Sequence, residues 1–452
     1  MIPRTPLDSW IASQTHRSDR LDPDLLRNYQ LRALNETIAW AVGKSPFYRE
    51  RLDTFSESGL GSLDDLSGLP IMDARDLGTQ SLRILCISQG DVERVVTLRT
   101  SGSTAEPKRV FFTAEDIEHT KNFFAVGMSQ MVAPGDTLLV LMPGAAPHSV
   151  GDLLKSALTR LDAPCNVYGF VDDPAAVAER IIACGASVLV GLPGQMLALA
   201  RDQEAALRSR ISAVLLSGEH APPWLTRDIA TRLGCEVFVH FGLTETGLGG
   251  GVECRAHHGL HLREADLLFE IVDPQTRTPV PDGEAGEIVI TTLRRRGMPL
   301  IRYATGDAGL LLGRDCPCGS RVQRLLPLGA RIHDYPVSPG LHLSMHHVDE
   351  AVFRAEGVSA CHATLHVSAW PDTPDSLALT LAATSPSSKN IDTLETDVRT
   401  SLLDSPDIGP LLQDGSLHAT IAWTSAAKCL ALSGPKRMLT TRTIMEPQPC
   451  PN

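Results

Sequence analysis

The chain has 452 residues, 43% of them hydrophobic and 21% charged, and a formal net charge of −12. That balance fits a globular protein of roughly two to four domains, and the acidic excess argues against a nucleic-acid partner. No stretch reaches the roughly 18 apolar residues of a membrane span. The N-terminus, Met1-Ile2-Pro3-Arg4-Thr5-Pro6, lacks the apolar core of a signal peptide, so the expected location is cytoplasmic with no membrane partner. Ten cysteines, most of them single in apolar runs (Cys86, Cys165, Cys184, Cys235), read as reduced buried thiols rather than a disulfide scaffold.

Residues 1–90 read mainly as helix. Across 22–42, Leu25, Leu26, Tyr29, Leu31, Leu34, Ile38 and Ala41 recur at helical spacing, and Lys44-Ser45-Pro46 breaks the pattern. From 91 to 250, strands expected at 92–98, 110–112, 137–142, 166–170, 187–192, 211–216 and 236–241 alternate with helices at 150–161, 173–186, 195–204 and 222–233. This alternation predicts parallel βαβ units, whose ligands bind at the carboxyl ends of the strands. Residues 251–330 read as a β-rich subdomain with strands at 267–272, 286–292 and 300–303. A Pro/Gly/His-rich stretch, 332–347, then leads to a helix at 348–355, extended segments at 362–367 and 377–383, a helix at 390–403 and a strand at 417–423. The expected class is therefore α/β: a large domain, 1–330, made of a helical lead-in (1–90), an α/β core (91–250) and a β-rich subdomain (251–330). A smaller α+β domain, 331–452, follows.

Three loops carry residues suited to nucleotide chemistry. Thr100-Ser101-Gly102-Ser103-Thr104-Ala105-Glu106-Pro107-Lys108 sets a hydroxyl-rich turn between two strands. Small residues let backbone N–H groups approach a phosphate, and the lysine adds a point charge. It is not the P-loop G-x-x-x-x-G-K-[ST], which needs a second Gly-Lys pair. Phe241-Gly242-Leu243-Thr244-Glu245 follows a strand with an aromatic for stacking, a hydroxyl for a phosphate and a carboxylate for Mg²⁺. Tyr303-Ala304-Thr305-Gly306-Asp307 ends with a carboxylate suited to two ribose hydroxyls.

In this order, the three motifs resemble the adenylate-forming superfamily of acyl-CoA synthetases. Ser45-Pro46-Phe47-Tyr48, Pro223-Trp224 after Gly218-Glu219, the run 287–293 leading into 299–307, and Cys316-Pro317-Cys318-Gly319 narrow the resemblance to the phenylacetate–CoA ligase type. The resemblance implies that Ser101, Gly102, Ser103, Thr104 and Lys108 cradle the β- and γ-phosphates of ATP. Phe241 would stack on adenine beside Gly218, Glu219 and Gly242; Thr244 would meet the α-phosphate, Glu245 would hold Mg²⁺, and Asp307 with Arg331 would bind the ribose. It implies two steps: attack of a small, aryl or other carboxylic acid on ATP to give an acyl-adenylate, then transfer to a thiol, that of coenzyme A. A mobile C-terminal domain would bring in the adenylation lysine. Lys436, in Ser433-Gly434-Pro435-Lys436, is the candidate, although proline stands where the family pattern has lysine; Lys428 is the alternative. His148 either orients the acid or caps the following helix. A homodimer is expected from the resemblance alone.

Cys316 and Cys318 are spaced more tightly than the usual C-x₂-C of zinc sites. Zinc in this region of some members of the ligase group makes Cys254, His261, Cys316 and Cys318 the expected structural set, with His258 competing for the histidine place. Two rival functions stay open: an adenylating enzyme whose acceptor is an amine, a hydroxyl or a carrier-protein thiol, and a non-catalytic nucleotide-binding relative. The departures around Arg331 and Pro435 keep the first in play, and the second is favoured if Lys436 is out of reach of the site.

Overall fold

The computed structural model describes residues 2–16, 18–98, 107–332, 335–338, 341–368, 374–384, 389–433 and 439–444. Ser101, Gly102, Ser103, Thr104 and Lys436 lie outside these residues, as does the side chain of Arg331. The chain forms two compact units, one made of 1–136, 143–167 and 238–328, the other of 137–142, 168–237 and 329–452. No helix among the described residues is long and apolar enough to cross a membrane.

The first unit opens with three helices, Pro6–Thr15, Pro23–Lys44 and Pro46–Ser58. Each has proline in its first turn behind a capping oxygen from Thr5, Asp22 or Ser45. Proline loses nothing there, because a first-turn N–H has no helical partner. Gln30, Thr37, Trp40 and Tyr48 donate to the carbonyls of Glu264, Leu293, Arg296 and Pro299, tying this helical lead-in to the β-rich region. The hairpin Arg94–Leu98/Lys108–Phe112 follows, its register closing at Leu98 opposite Lys108. Lys108 therefore sits at the mouth of the hydroxyl-rich connection. Leu267–Val272, Gly286–Thr292 and Tyr303–Leu312 form an antiparallel set, and Gly251–Glu253 pairs with both Leu260–Leu262 and the end of Glu236–Phe241.

The strand expected at 300–303 begins only at Tyr303 and continues to Leu312, so Asp307 lies within a strand rather than at its end. Arg302 explains the late start. Its buried guanidinium pairs with Glu270 at 3.0 Å and donates to the carbonyls of Ser67 and Leu69, which holds its backbone at φ +49°. A non-glycine residue is held in that left-handed region only when its surroundings over-determine it.

In the second unit, Leu138–Leu141, Val188–Gly191 and Ala213–Leu216 form the expected parallel strands, each buried along its whole length. Continuous burial explains their unbroken apolar runs. Residues 329–452 contribute the strand order Leu417–Thr424, Asp375–Ala383, Val358–Ser368, Thr440–Ile444 and the helices Met345–Val352, Ile391–Leu403 and Ala426–Ser433. The last helix and last strand escaped the sequence reading because both are short and weakly patterned. Buried Arg201 pairs with Asp228 at 2.6 Å and donates to the carbonyls of Phe353 and Val358, so in this conformation helix Pro193–Asp202 is joined to residues 353–358.

Candidate active site and a thiol–imidazole cluster

Glu245 lies in a tight turn at the end of strand Glu236–Phe241. Leu243 accepts from the N–H groups of Thr246 and Leu248, Thr244 accepts from Gly247, and Phe241 accepts from Gly250. Gly242 has no room for a side chain, since a Cβ would stand 2.4 Å from the Leu248 carbonyl oxygen. The backbone thus fixes where Thr244 and Glu245 point, while the Phe241 ring packs on Gly250.

Glu245 is only 4% exposed. Its Oε1 accepts from Lys108 Nζ at 2.7 Å and from the Tyr303 hydroxyl at 2.9 Å, and Lys108 lies 3.3 Å from the same hydroxyl. Burial pushes the carboxyl up, but the Lys108 ammonium and the Tyr303 hydroxyl outweigh it and hold the group below the usual carboxylate range. It is therefore a buried, ionised carboxylate with a cation seated on it.

Asp307 occupies a bulge. Ala304 is opposite Val289 and Ala308 opposite Glu287, so Thr305, Gly306 and Asp307 together face Ile288. Gly306, at φ +79°, donates to Glu287 at 3.0 Å, and the Asp307 N–H donates to Thr305 Oγ1 at 3.1 Å. In the second unit, Gly218 follows strand Ala213–Leu216 at φ +88°, and a Cβ there would meet Leu192 at 2.8 Å, so the loop leading to Glu219 requires glycine. Lys428 is exposed on helix Ala426–Ser433. Ser149, not His148, is the cap of helix Val150–Leu158; the His148 ring lies 3.0 Å from Glu93, and the His148 backbone N–H donates to Asp152.

Cys254, His261, Cys316 and Cys318 converge, all buried, with their ligand atoms within 4.8 Å of one another. Cys254 follows strand Gly251–Glu253, His261 lies in the paired strand Leu260–Leu262, and the other two come from the turn after Tyr303–Leu312. Sγ of Cys254 is 3.7 Å from Sγ of Cys316, and Sγ of Cys318 is 3.6 Å from Nε2 of His261. A tetrahedral zinc with thiolates at ~2.3 Å sets neighbouring ligands ~3.8 Å apart, whereas a disulfide needs ~2.05 Å. The donor set fits a tetrahedral ion. His258 is excluded from the set, because its ring faces Arg324 at 2.6 Å. Ser320 and the Arg321 N–H both donate to buried Asp8, so the first helix is anchored on this turn.

The AMP-binding enzyme family profile matches residues 94–293. The phenylacetate–coenzyme A ligase of Thermus thermophilus is 30% identical over 72% of this chain and 74% of its own length. The chain belongs to the phenylacetate–CoA ligase family of AMP-binding enzymes. The phenylacetate–coenzyme A ligase of Pseudomonas putida is 28% identical over 76% of this chain and 81% of its own. A 2-hydroxyisobutyryl-CoA ligase in its postadenylation state shares the fold, with a TM-score of 0.74, 18% identity and coverage of 93% of this chain and 90% of that one.

For this ligase, sequence reasoning missed Tyr303 as a site residue and Arg302 as its anchor. The available signal was the adjacency of Arg302-Tyr303 to the expected ribose carboxylate; it lacked the contact partners that distinguish them from core residues. Tyr303→Phe keeps the ring and removes one hydrogen bond to an ionised group, a loss of ~1.5–3 kcal/mol. The expected result in steady-state kinetics is a KM for MgATP raised by at least ~10-fold in a normally folded protein. An unchanged KM would place the hydroxyl outside nucleotide binding.

Proposed function

We infer that this ligase converts a small carboxylic acid and ATP to an acyl-adenylate and pyrophosphate, then passes the acyl group to coenzyme A with release of AMP. In the first step a carboxylate oxygen bonds to the α-phosphorus as the α–β phosphoanhydride bond breaks. In the second, the thiol sulfur attacks the acyl carbon, AMP departs, and the thiol proton passes to solvent. The observation that supports this reading most is the buried, ionised Glu245 with the Lys108 ammonium already seated on it.

With ATP bound, Lys108 would turn to the phosphates, together with Ser101, Gly102, Ser103 and Thr104, and Glu245 would be the residue to hold Mg²⁺. One carboxylate plus phosphate oxygens is a usual Mg²⁺ environment, and such an ion would supply neutralisation of charge developing on the phosphates. Thr244 then addresses the α-phosphate, Phe241 the adenine with Gly218, Glu219 and Gly242, and Asp307 the ribose with Arg331. Lys436 is assigned to adenylation, brought in by residues 331–452 as a mobile domain, and His148 to the rim of the acyl pocket. Cys254, His261, Cys316 and Cys318 would hold a structural zinc, which would stiffen the turn leading back from Asp307. ATP and coenzyme A as co-substrates accord with a cytoplasmic location.

The deciding experiment is ATP–pyrophosphate exchange over a panel of aryl, hydroxy and short-chain acids, each with and without coenzyme A. Exchange with one class, together with AMP release that requires coenzyme A, is the expected result. Exchange without any coenzyme A turnover would transfer the assignment to another acceptor. ATP binding with no exchange for any acid would indicate a nucleotide-binding relative without the activity.

A further inference from the structure

Helix Ala114–Met128 begins directly after the strand that carries Lys108. Its N-cap, Thr113, follows Phe112, the last residue of that strand, and forms a capping box with Asp116 that fixes where the helix starts. Further along the same helix, Thr120 is 3% exposed, and its hydroxyl lies 2.9 Å from the Gly247 carbonyl in the Glu245 turn. One helix is therefore joined to both partners of the Lys108–Glu245 ion pair, to the strand of the first at its start and to the turn of the second at Thr120.

The Glu245 turn needs such a support. It ends on two successive left-handed residues, Gly247 at φ +70° and Leu248 at φ +67°. Glycine adopts that conformation freely, but leucine is strained in it and stays there only where its surroundings over-determine the backbone. From within the turn, the N–H groups of Gly247 and Leu248 donate to the carbonyls of Thr244 and Leu243. From outside it, Gly247 is closely flanked: a Cβ there would stand 3.2 Å from Thr120 Oγ1 and 3.2 Å from Arg295 Nη2. The Thr120 hydroxyl has one proton and two acceptors in reach, the Gly247 carbonyl at 2.9 Å and the Asp116 carbonyl of its own helix at 3.1 Å. A carbonyl four residues back in a helix already accepts a backbone N–H, so the proton is worth more at Gly247. Threonine is also a weak helix former, and its place in this helix is explained by the bond to the turn.

We propose that Thr120 is a positioning residue for Glu245: its hydroxyl holds the end of the turn, so that the carboxylate stays at the Lys108 ammonium and in place for MgATP. This role rests on the assignment of Glu245 to MgATP given above. Thr120 acts through the Gly247 carbonyl and the turn 243–248, and not on the substrate itself.

The test is a double-mutant cycle on the full chain. MgATP affinity is measured by calorimetry in the absence of acid, and amide hydrogen exchange of residues 243–248 is measured without nucleotide. Thr120→Val keeps the shape and removes the donor; Thr120→Ser keeps the donor. T120V should weaken MgATP binding by ~10-fold, the order expected for one lost buried hydrogen bond, and should speed exchange of the Gly247 and Leu248 amides. T120S should stay within ~3-fold of wild type in affinity. In the E245Q background T120V should add less than ~2-fold, because residues that act as a unit are not additive. Wild-type affinity in T120V, beside weakened binding in E245Q, would overturn the role of Thr120 and leave the Glu245 assignment standing. Wild-type affinity in both variants would overturn that assignment, and this role with it. Equal losses in T120V and T120S, or a full further loss in the double variant, would mean that Thr120 serves packing alone and would also overturn the proposal. If T120V does not fold, Thr120→Ala, which suits a helix, is measured in its place against the same outcomes.

Discussion

Replacing Glu245 with glutamine is expected to reduce ATP–pyrophosphate exchange by roughly 100-fold or more. Glutamine keeps the shape and a carbonyl oxygen but lacks the charge that a divalent cation requires. In the resting protein the same change leaves the partly buried Lys108 ammonium facing a neutral amide at the 2.7 Å position, beside the Tyr303 hydroxyl. The variant should therefore melt slightly lower, with a much larger effect on exchange than on stability. Magnesium dependence is the sharper readout, because the Mg²⁺ concentration for half-maximal exchange should rise steeply. Wild-type exchange in this variant would remove Glu245, and with it the whole site assignment. The sign of the pH dependence follows from the same geometry. A carboxylate held below its usual range contributes stability that is present above the unfolded pKa and lost as pH falls through the folded one. Glu245 is thus ionised throughout the neutral range, and its titration does not limit activity there.

The second large effect is expected at the thiol–imidazole cluster. Wild-type protein purified without chelator should carry close to one equivalent of zinc, and Cys254→Ser should carry little. Structural zinc contributes ~10–16 kcal/mol of apparent binding energy in small peptides at neutral pH, so losing one thiolate of four should cost several kcal/mol. In a unit of this size that corresponds to a melting temperature lower by ~5–10 °C. Because Asp8 is bonded to Ser320 and Arg321 beside the cluster, and accepts from the Leu21 N–H at 3.1 Å, the first helix should become susceptible to proteolysis in the variant. Less than about a tenth of an equivalent of zinc in the wild-type protein would leave four reduced thiol and imidazole groups packed together and no metal.

Much of this protein is legible locally. The buried strands Leu138–Leu141, Val188–Gly191 and Ala213–Leu216 announce themselves as unbroken apolar runs, because both faces of a parallel sheet are covered. The helix starts also rest on local chemistry, since Thr5, Asp22 and Ser45 each precede a proline whose fixed backbone suits the first turn, although Ser45-Pro46 reads along the chain only as a break. The nucleotide motifs are short and contiguous, so their order along the chain identifies the family even where each one alone would not.

What the sequence could not show is set by contacts between distant residues. Lys108, Glu245 and Tyr303 come together across gaps of 137 and 195 residues, and only that meeting makes the glutamate a buried anion rather than a solvated loop residue. The choice of His261 over His258 is likewise tertiary: His261 lies opposite Val252 in the strand pair and its Nε2 stands 3.6 Å from Cys318, while Arg324 engages the ring of His258. Asp307 was expected at the end of a short strand, and Arg302 displaced that strand by reaching carbonyls more than 230 residues away. Local pattern determines which residues face a core and where helices begin, because those preferences act over a few residues; desolvation and pairing of charge act through space, and only the folded chain decides them.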